Sequence, residues 1–166
     1  MGINRRCTWQ IDPMETSKFW ENKKIHQFSP TEWEMLCDGC ARCCLYKLQD
    51  SETGEVFYTD IACKLLDLDK CQCTDYPNRH LRMPTCVKVS LDLLSTASWL
   101  PATCAYRLIA EHKPLYWWHP LICGNRIMLH RAGISIRAFA VSETKELMDE
   151  LEDHVIDIPM LKQIED

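Results

Sequence analysis

The sequence has no long uninterrupted apolar segment. Its 166 residues include no run near the roughly 18 apolar residues that a membrane-spanning helix needs. The segment 1–7 contains two arginines but no apolar stretch follows them, so a secretory signal is not expected. The sequence therefore predicts a protein of the cytoplasm with no membrane partner.

A surplus of basic charge is also missing. The chain has 19 Lys and Arg against 24 Asp and Glu, and the segment 143–166 alone carries nine acids and two bases. The preceding 142 residues therefore sum to +2, because the whole chain has a net charge of −5 and this segment has −7. A near-neutral segment of this length offers no broad positive surface, so we expect no nucleic-acid partner. The acidic segment is predicted to be a solvated helical face.

The common catalytic and nucleotide-binding motifs are missing too. The sequence contains no Gly-rich phosphate loop, no Gly-x-Ser-x-Gly elbow and no His-Glu-x2-His helix. A cysteine nucleophile with a histidine base stays open as an alternative, but no single cysteine is distinguished for that role. We therefore expect a binding protein without catalytic turnover, rather than an enzyme.

What the sequence has in abundance is cysteine. It has 11 cysteines, and nine of them fall in the 68 residues from Cys37 to Cys104. This local density of about 13% exceeds the roughly 8–10% that marks a specialised scaffold. In a reducing compartment, clustered thiols usually hold metal, and an odd number of cysteines fits a closed disulfide set poorly. Metal binding is thus the leading interpretation, with disulfides and buried free thiols as the alternatives.

The spacing Cys37-x2-Cys40-x2-Cys43 is the central motif. Two-residue spacers let successive thiolates turn toward a common centre, as in zinc sites and in the cysteine runs that hold cubane iron–sulfur clusters. Cys44 follows directly, and neighbouring side chains are expected to point apart. It therefore serves a second metal, belongs to a polynuclear site or is simply buried.

Four more thiols lie in the 24 residues from Cys63 to Cys86. Together with the first four they suffice for two four-cysteine sites, whose pairing stays open. The eight predicted metal ligands are Cys37, Cys40, Cys43, Cys44, Cys63, Cys71, Cys73 and Cys86.

Hydrophobic periodicity predicts a small α+β domain, mostly helical, with an irregular metal-stapled cysteine-rich centre. We divide the chain into an N-terminal helical segment (1–28), a cysteine-rich metal-binding domain (29–142) and an acidic C-terminal helix packed on it (143–166). The predicted helices are 13–24, a helix capped by Ser29, a helix from Ser90 to Trp99, 102–112 and 142–155. The predicted strands are 55–59 and 134–141.

These residues resemble a known family. Cys37-Asp38-Gly39-Cys40-Ala41-Arg42-Cys43-Cys44, followed by the later cysteines, looks like the CxxCxxCC family, which is described as chelating zinc or iron. Leu100-Pro101-x2-Cys104-Ala105-Tyr106-Arg107-Leu108 and Trp118-His119-Pro120-Leu121 resemble its YcgN-like branch. The resemblance covers about residues 20–158. It implies that the eight cysteines are ligands, and it says little about biochemical activity.

Several further residues are open to two interpretations. Cys104 is a ninth ligand or a buried core thiol, whereas Cys7 and Cys123 are predicted to be free thiols. His119 is predicted to be a packed loop histidine rather than a ligand. Tyr76 and Arg79 either donate hydrogen bonds to thiolate sulfur or form a structural turn. The pair Trp117-Trp118 is predicted to pack in the core.

The function predicted from the sequence is a cytoplasmic protein that chelates zinc or iron with clustered thiolates. Its metal-ion partners would be held for storage, delivery, sensing or partner docking. The alternative is an iron–sulfur protein, with a 4Fe-4S cluster for example, in electron transfer or as part of a modifying enzyme. A saturated tetrahedral site would favour the first and a coloured, air-sensitive protein the second.

Overall fold

The sheet of this protein is organised around one central strand. The structure is a computed structural model and describes residues 18–158. The strands are β1 (Leu45–Gln49), β2 (Val56–Ala62), β3 (Leu66–Asp67), β4 (Gln72–Cys73), β5 (Val141–Ser142) and β6 (Val155–Ile156). β1 and β2 form an antiparallel hairpin, in which Leu45 pairs with Ala62. The predicted strand at 55–59 is thus confirmed and continues to Ala62.

The other edge of β2 is covered by strands from the end of the described chain. β5 pairs with β2 in parallel, with Ile61 opposite Val141. β6 pairs with β2 antiparallel, with Tyr58 opposite Ile156. β3 and β4 form a separate small antiparallel pair. The C-terminal part of the described chain therefore completes the sheet that carries the cysteine-rich segment.

The helices are all short. Residues 18–158 form α1 (Phe19–Asn22), α2 (Pro30–Met35), α3 (Arg79–Arg82), α4 (Leu91–Leu94), α5 (Ala105–Ala110), α6 (Pro120–Cys123), α7 (Ile127–Arg131) and α8 (Lys145–Asp149). Within that range none exceeds six residues, and none has the length and apolar character that a bilayer crossing requires. The α+β class is confirmed. Helices and 3-10 turns together contain more residues than the strands do, and only in this sense is the described part of the chain mostly helical.

The start of α2 follows the sequence signal closely. The Ser29 hydroxyl accepts a hydrogen bond from the Glu32 N–H at 3.2 Å, and the Glu32 carboxylate accepts one from the Ser29 N–H at 2.8 Å. Pro30 occupies the first helical position, where its missing N–H costs nothing. This capping box confirms the predicted helix start, and α2 ends at Met35, directly before the first cysteines.

Three other predicted helices are shorter than expected. Helix 90–99 ends at Leu94, and helix 102–112 is formed only over Ala105–Ala110. The predicted helix 13–24 appears at Phe19–Asn22, and its part before residue 18 lies outside the described residues.

The prediction of a strand over 134–141 is wrong. Ile134 and Ile136 are both buried, as the alternating pattern required, but Ile136–Ala138 forms a 3-10 turn and only Val141 enters a strand. Gly133, at φ 70°, turns the chain immediately before this segment. The Ile136 N–H then donates to the Cys40 carbonyl at 3.1 Å, a tertiary hydrogen bond that replaces a strand ladder.

The predicted terminal helix over 142–155 is also largely wrong. Only Lys145–Asp149 is α-helical, and a 3-10 turn and β6 follow it. The His154 Nδ1 lies 2.8 Å from the Asp60 carboxylate on β2, a tertiary contact that accompanies strand pairing here. The boundaries 1–28, 29–142 and 143–166 remain a prediction, and the residues beyond 158 lie outside the described part of the chain.

The segment that carries the first cysteines is held in three separate core clusters. Leu36 packs with Tyr106 and Leu108, Cys40 packs with Trp118, and Ala41 belongs to the cluster of Leu45, Ala62 and Ile136. The core therefore fixes the backbone of the cysteine segment on several sides at once.

The core packing predicted for the Trp117-Trp118 pair holds for Trp118, which is fully buried, whereas Trp117 is 38% exposed.

Candidate metal centre

Nine cysteine side chains line one cavity of about 790 Å³. The cavity lies beside β1 and the end of α2, and its wall includes all eight predicted ligands. The nine thiols are Cys37, Cys40, Cys43, Cys44, Cys63, Cys71, Cys73, Cys86 and Cys104. Folding thus gathers in one place the thiols that the sequence spreads over 68 residues.

Two left-handed residues shape the loop after α2. Gly39 has φ 81° and Ala41 has φ 60°. This region lets the chain reverse direction within a few residues, and glycine adopts it without strain. A Cβ on Gly39 would also lie 3.0 Å from Nη1 of Arg126. The φ angle of Gly39 therefore favours glycine, and a larger residue there would also require the end of the Arg126 side chain to shift.

Polar contacts inside the loop and with the segment around Ile134 fix the same loop. The Asp38 Oδ1 accepts a hydrogen bond from the Cys40 N–H at 2.9 Å. Arg42 is buried, and its Nε donates to the Ile134 carbonyl at 2.7 Å. The cysteine loop is thereby joined to the 3-10 turn that contains Ile136.

The charge of Asp38 acts on four thiols. These are Cys37, Cys40, Cys43 and Cys104. Cys43 in turn interacts electrostatically with each of the other three. Cys104, which the sequence left between two interpretations, thus lines the same cavity as the central motif and interacts with Cys43.

A second set of thiols interacts electrostatically with Cys44, and one of them, Cys86, interacts with Cys43 as well. Cys44 interacts with Cys63 and Cys86. Cys63 and Cys86 each interact with Cys73 as well. These four thiols come from the start of β1, the end of β2, β4 and the loop after α3.

The two sets meet at Cys43 and Cys44. The expectation that these adjacent side chains point apart is wrong, because their sulfur atoms lie 4.0 Å from each other. Both residues belong to the 3-10 turn Arg42–Cys44, which directs the two side chains toward the same cavity.

Cys71 differs from the other cavity thiols. Its sulfur lies 3.6 Å from the Leu68 carbonyl, and its strongest interactions apart from burial are with Ser135, Arg137 and Asp67. It packs in the same apolar cluster as Ile136. Cys71 therefore borders the cavity but directs its sulfur to neighbours that are not thiols.

Burial determines the protonation of most of these thiols in the metal-free protein. It raises the pKa of Cys37 and of Cys40, and it raises that of Cys104 to about 11. Cys37 has accessible surface, but this surface faces the cavity, where the surrounding protein replaces bulk water. Cys43 is the exception, because a hydrogen bond from the Cys44 thiol lowers its pKa to about 7.

The donor set suits a soft or borderline metal ion. Sulfur ligands select zinc, iron or iron–sulfur clusters. The Asp38 Oδ2 is buried and has no hydrogen-bond partner among the described residues, so a nearby cation would satisfy it. Within residues 18–158, no three donor side chains already converge closely enough to enclose an ion. The chemistry of the cavity fits a metal, and side-chain rotation of the thiols would have to close the site.

Comparison with known proteins agrees with this chemistry. A "UPF0260 protein" of Rhodopseudomonas palustris (strain TIE-1) is 51% identical over 144 residues, which cover 86% of this chain and 85% of the relative. A "UPF0260 protein" of Allorhizobium ampelinum is 46% identical over 147 residues, covering 89% and 92%. One from Brucella canis is 46% identical over 145 residues, covering 86% and 95%. The chain belongs to the UPF0260 family.

A domain model also matches this UPF0260 protein. The CxxCxxCC model, described as "Putative zinc- or iron-chelating domain", matches residues 36–105. All nine cavity thiols fall inside this match. No solved structure matches the chain.

The two predicted donors next to the Cys71/Cys73 pair have different roles in the UPF0260 protein. Arg79 donates from Nη1 to the Tyr76 carbonyl at 2.6 Å, as the structural-turn interpretation required, and its charge also acts on the Cys86 thiol. The Tyr76 hydroxyl donates to the Glu34 carboxylate at 2.7 Å. The Arg79 guanidinium lies 3.7 Å from the centre of the Tyr76 ring. Tyr76 and Arg79 therefore belong to one local turn beside Cys86.

Two of the remaining candidates, His119 and Cys123, do not line the cavity. His119 is buried, its Nδ1 accepts from the Leu121 N–H at 3.1 Å, and its Nε2 lies 3.1 Å from the Leu36 carbonyl. Both ring nitrogens therefore have backbone partners, which agrees with the packed histidine predicted from the sequence. Cys123 directs its sulfur to backbone carbonyls, at 3.1 Å from that of Asn125. Cys7 lies outside the described residues.

Proposed function

We propose that this UPF0260 protein binds zinc or iron in the cytoplasm through the thiolates of its cysteine-lined cavity. The observation that carries the proposal is the convergence of nine thiols on one cavity. The ligands are drawn from the eight cysteines predicted from the sequence and Cys104. The bound metal would be stored, delivered, sensed or used to build a docking surface.

The protonation of the cavity thiols sets how metal would bind. Without metal, burial keeps most of the thiols neutral, and neutral thiols are weak ligands. A divalent cation deprotonates the thiols that coordinate it. Because burial raises the pKa of Cys37 and Cys40, metal binding at these thiols must displace their protons.

Cationic side chains around the cavity give further support. Arg42 interacts electrostatically with Cys40, Lys47 with Cys43 and Cys44, and Arg79 with Cys86. A dication held by four thiolates has a net charge of about −2. The three cations offset this charge inside the protein, where an unpaired charge is costly.

Bound metal would also contribute to folding. The thiols come from several segments of the chain between Cys37 and Cys104, so a shared ion would add a further link between these segments. The free energy of binding then adds to the free energy of unfolding. When bound, zinc would supply a fixed tetrahedral link and iron could also accept or donate an electron.

An iron–sulfur protein is the second candidate. The run of three cysteines at two-residue spacing favours it. Electron transfer, or a part in a modifying enzyme, would then be the role of the centre.

The decisive experiment is purification without air or chelators, followed by metal analysis, sulfide analysis and an absorption spectrum. A colourless protein with bound zinc supports the zinc function. A brown protein with iron and inorganic sulfide supports the second candidate. Native protein without zinc, iron or sulfide would overturn both.

A matched pair of variants tests the role of the thiols. Cys40→Ser removes a cavity thiol, whereas Cys123→Ser removes a thiol that does not line the cavity. We expect Cys40→Ser to lower metal content and thermal stability together, and Cys123→Ser to retain the metal content of the natural protein. Equal metal content in Cys40→Ser and the natural protein would contradict the function.

A further inference from the structure

We propose that the Asp38 carboxylate is a metal ligand, so that the centre combines an oxygen donor with cysteine sulfur. This inference rests on the proposed metal-binding function and adds a ligand that the spacing of the cysteines does not indicate. Asp38 lies between Cys37 and Cys40 in the central motif and lines the same cavity as the nine thiols. Zinc accepts carboxylate oxygen as well as thiolate sulfur, and iron does so too.

The Asp38 carboxylate is buried with one oxygen unpaired. The residue is 4% exposed. Its Oδ1 accepts a hydrogen bond from the Cys40 N–H at 2.9 Å, whereas its Oδ2 is buried and has no hydrogen-bond partner among residues 18–158. Buried charges are normally paired or coordinate metals, because removal from water makes an isolated charge costly. Oδ2 is therefore the atom of this loop that a cation would satisfy.

The hydrogen bond to Cys40 orients the carboxylate. Because Oδ1 is held by an N–H two residues further along the loop, the carboxylate cannot turn freely, and Oδ2 is left as the available oxygen. Carboxylates that bind metals are usually hydrogen-bonded in this way, since a fixed oxygen loses less freedom on coordination. The same bond ties the proposed oxygen ligand to a cysteine of the central motif.

Two basic side chains near this loop leave Oδ2 unsatisfied. Arg126 lines the cavity, and its Nη1 lies 3.0 Å from the position that a Cβ on Gly39 would occupy, yet it forms no hydrogen bond with Oδ2. His119 is buried, and both of its ring nitrogens face backbone groups. Neither side chain therefore replaces a metal ion as the partner of Oδ2.

Arg42 is the cation of the protein that competes for this role. Its Nη2 is also buried without a hydrogen-bond partner, while its Nε donates to the Ile134 carbonyl at 2.7 Å. A rotation that joined Nη2 to the Asp38 carboxylate would satisfy both groups without metal. The two possibilities differ in the effect of Asp38→Asn on metal-free protein. Loss of an ion pair would lower stability, whereas removal of an unpaired charge would not.

An oxygen ligand bears on which kind of centre the cavity holds. Iron–sulfur clusters are held by cysteine thiolates. Zinc sites, by contrast, combine cysteine with histidine or carboxylate ligands. Coordination by Asp38 therefore favours a single zinc or iron ion at the central motif, which is the first of the two candidate functions.

Asp38→Asn tests the oxygen ligand with little change in shape, because an amide oxygen can still accept from the Cys40 N–H. We expect it to lower the affinity for zinc and cobalt about tenfold or more. In cobalt-loaded protein the d–d absorption bands should shift, while the thiolate-to-cobalt charge-transfer absorption should keep its intensity. The urea midpoint of the metal-free variant should equal or exceed that of the natural protein.

Asp67→Asn is the matched control. The Asp67 Oδ1 also accepts from an N–H two residues further along, that of Asp69 at 3.0 Å, but Asp67 does not line the cavity. This variant should keep the affinity and the cobalt spectrum of the natural protein. X-ray absorption of zinc-loaded natural protein should show oxygen as well as sulfur bound to zinc, and this measurement decides even where Asp38→Asn fails to fold.

Three outcomes would overturn the oxygen ligand. The first is zinc bound by sulfur alone in the natural protein. The second is unshifted cobalt d–d bands in Asp38→Asn, even with lower affinity, since the carboxylate would then act through its charge only. The third is a lower urea midpoint of metal-free Asp38→Asn, since the carboxylate would then be paired within the protein. Natural protein that binds no zinc, iron or cobalt would instead overturn the proposed function itself.

Discussion

The Arg42 guanidinium donates from Nε to the carbonyl oxygen of Ile134 over 2.7 Å. This bond connects the cysteine loop with a segment 92 residues later in the chain. Arg42 is 1% exposed, and it also interacts electrostatically with Cys40 and Asp38. The position of the cysteine loop therefore depends on a buried cation that the spacing of the cysteines does not reveal.

Replacing Arg42 by Met should destabilise the protein. The change removes a charged hydrogen bond to the Ile134 carbonyl, and such bonds contribute about 1.5–3 kcal/mol. The measurement is urea unfolding of the metal-free protein. Arg131→Met, at an exposed position, is the control and should change the free energy of unfolding by less than about 0.5 kcal/mol. Equal stability of the two variants would contradict the structural role of Arg42.

Replacing Lys47 by Met should weaken metal binding. The Lys47 ammonium donates to the Cys43 carbonyl at 3.1 Å and interacts electrostatically with Cys43 and Cys44. Loss of one positive charge near metal-bound thiolates should reduce affinity on the order of tenfold. Competition with a chelator of known affinity measures this change. Lys47→Arg keeps the charge, and an affinity as low as that of Lys47→Met would argue against the electrostatic reason.

Metal affinity should rise with pH. Burial raises the pKa of Cys37, Cys40 and Cys104, so these thiols carry their protons at pH 7 and must release them when metal binds. Each of these thiols that coordinates the metal should release about one proton, whereas Cys43, with a pKa of about 7, is already partly ionised. Calorimetry in buffers of different ionisation enthalpy counts these protons. Binding that is independent of pH between 6 and 8 would exclude thiolate coordination.

Alkaline conditions should destabilise the metal-free protein. In the unfolded chain the thiols ionise near pH 8.5, whereas burial holds those of Cys37 and Cys40 protonated to a higher pH. Above pH 8.5 the folded state therefore binds more protons than the unfolded state, and stability falls as pH rises. Thermal unfolding between pH 7 and 10 should show this decline in metal-free protein and a smaller one in metal-loaded protein. The same decline in both forms would contradict the assignment.

Replacing Ser29 by Ala should shorten or fray α2. The Ser29 hydroxyl accepts from the Glu32 N–H at 3.2 Å, and loss of such a cap costs about 1 kcal/mol. The effect should appear in the free energy of unfolding, measured with urea. Ser29→Asp retains a capping acceptor and is expected to keep most of the stability. An unchanged stability in Ser29→Ala would show that tertiary packing alone holds this helix.

The start of α2 was predictable because its signal is local. Ser29, Pro30 and Glu32 lie within four residues, and their hydrogen bonds need no partner from elsewhere in the chain. The strand at Val56–Ala62 was predictable for a similar reason, since its residue types favour a strand in any context. The segment 134–141 was misread because its burial pattern is that of a strand while its hydrogen bonds go to Cys40 and Arg42.

The sequence by itself determined that this protein concentrates thiols, because spacing and composition are properties of the chain alone. It did not determine which of them line a common cavity and which pack in the core. Cys71 has a left-handed φ of 52° and packs in an apolar cluster, and Cys104, directly before α5, lines the same cavity as the central motif. Side-chain direction depends on backbone angles and on contacts between distant segments, and these exist only in the folded protein.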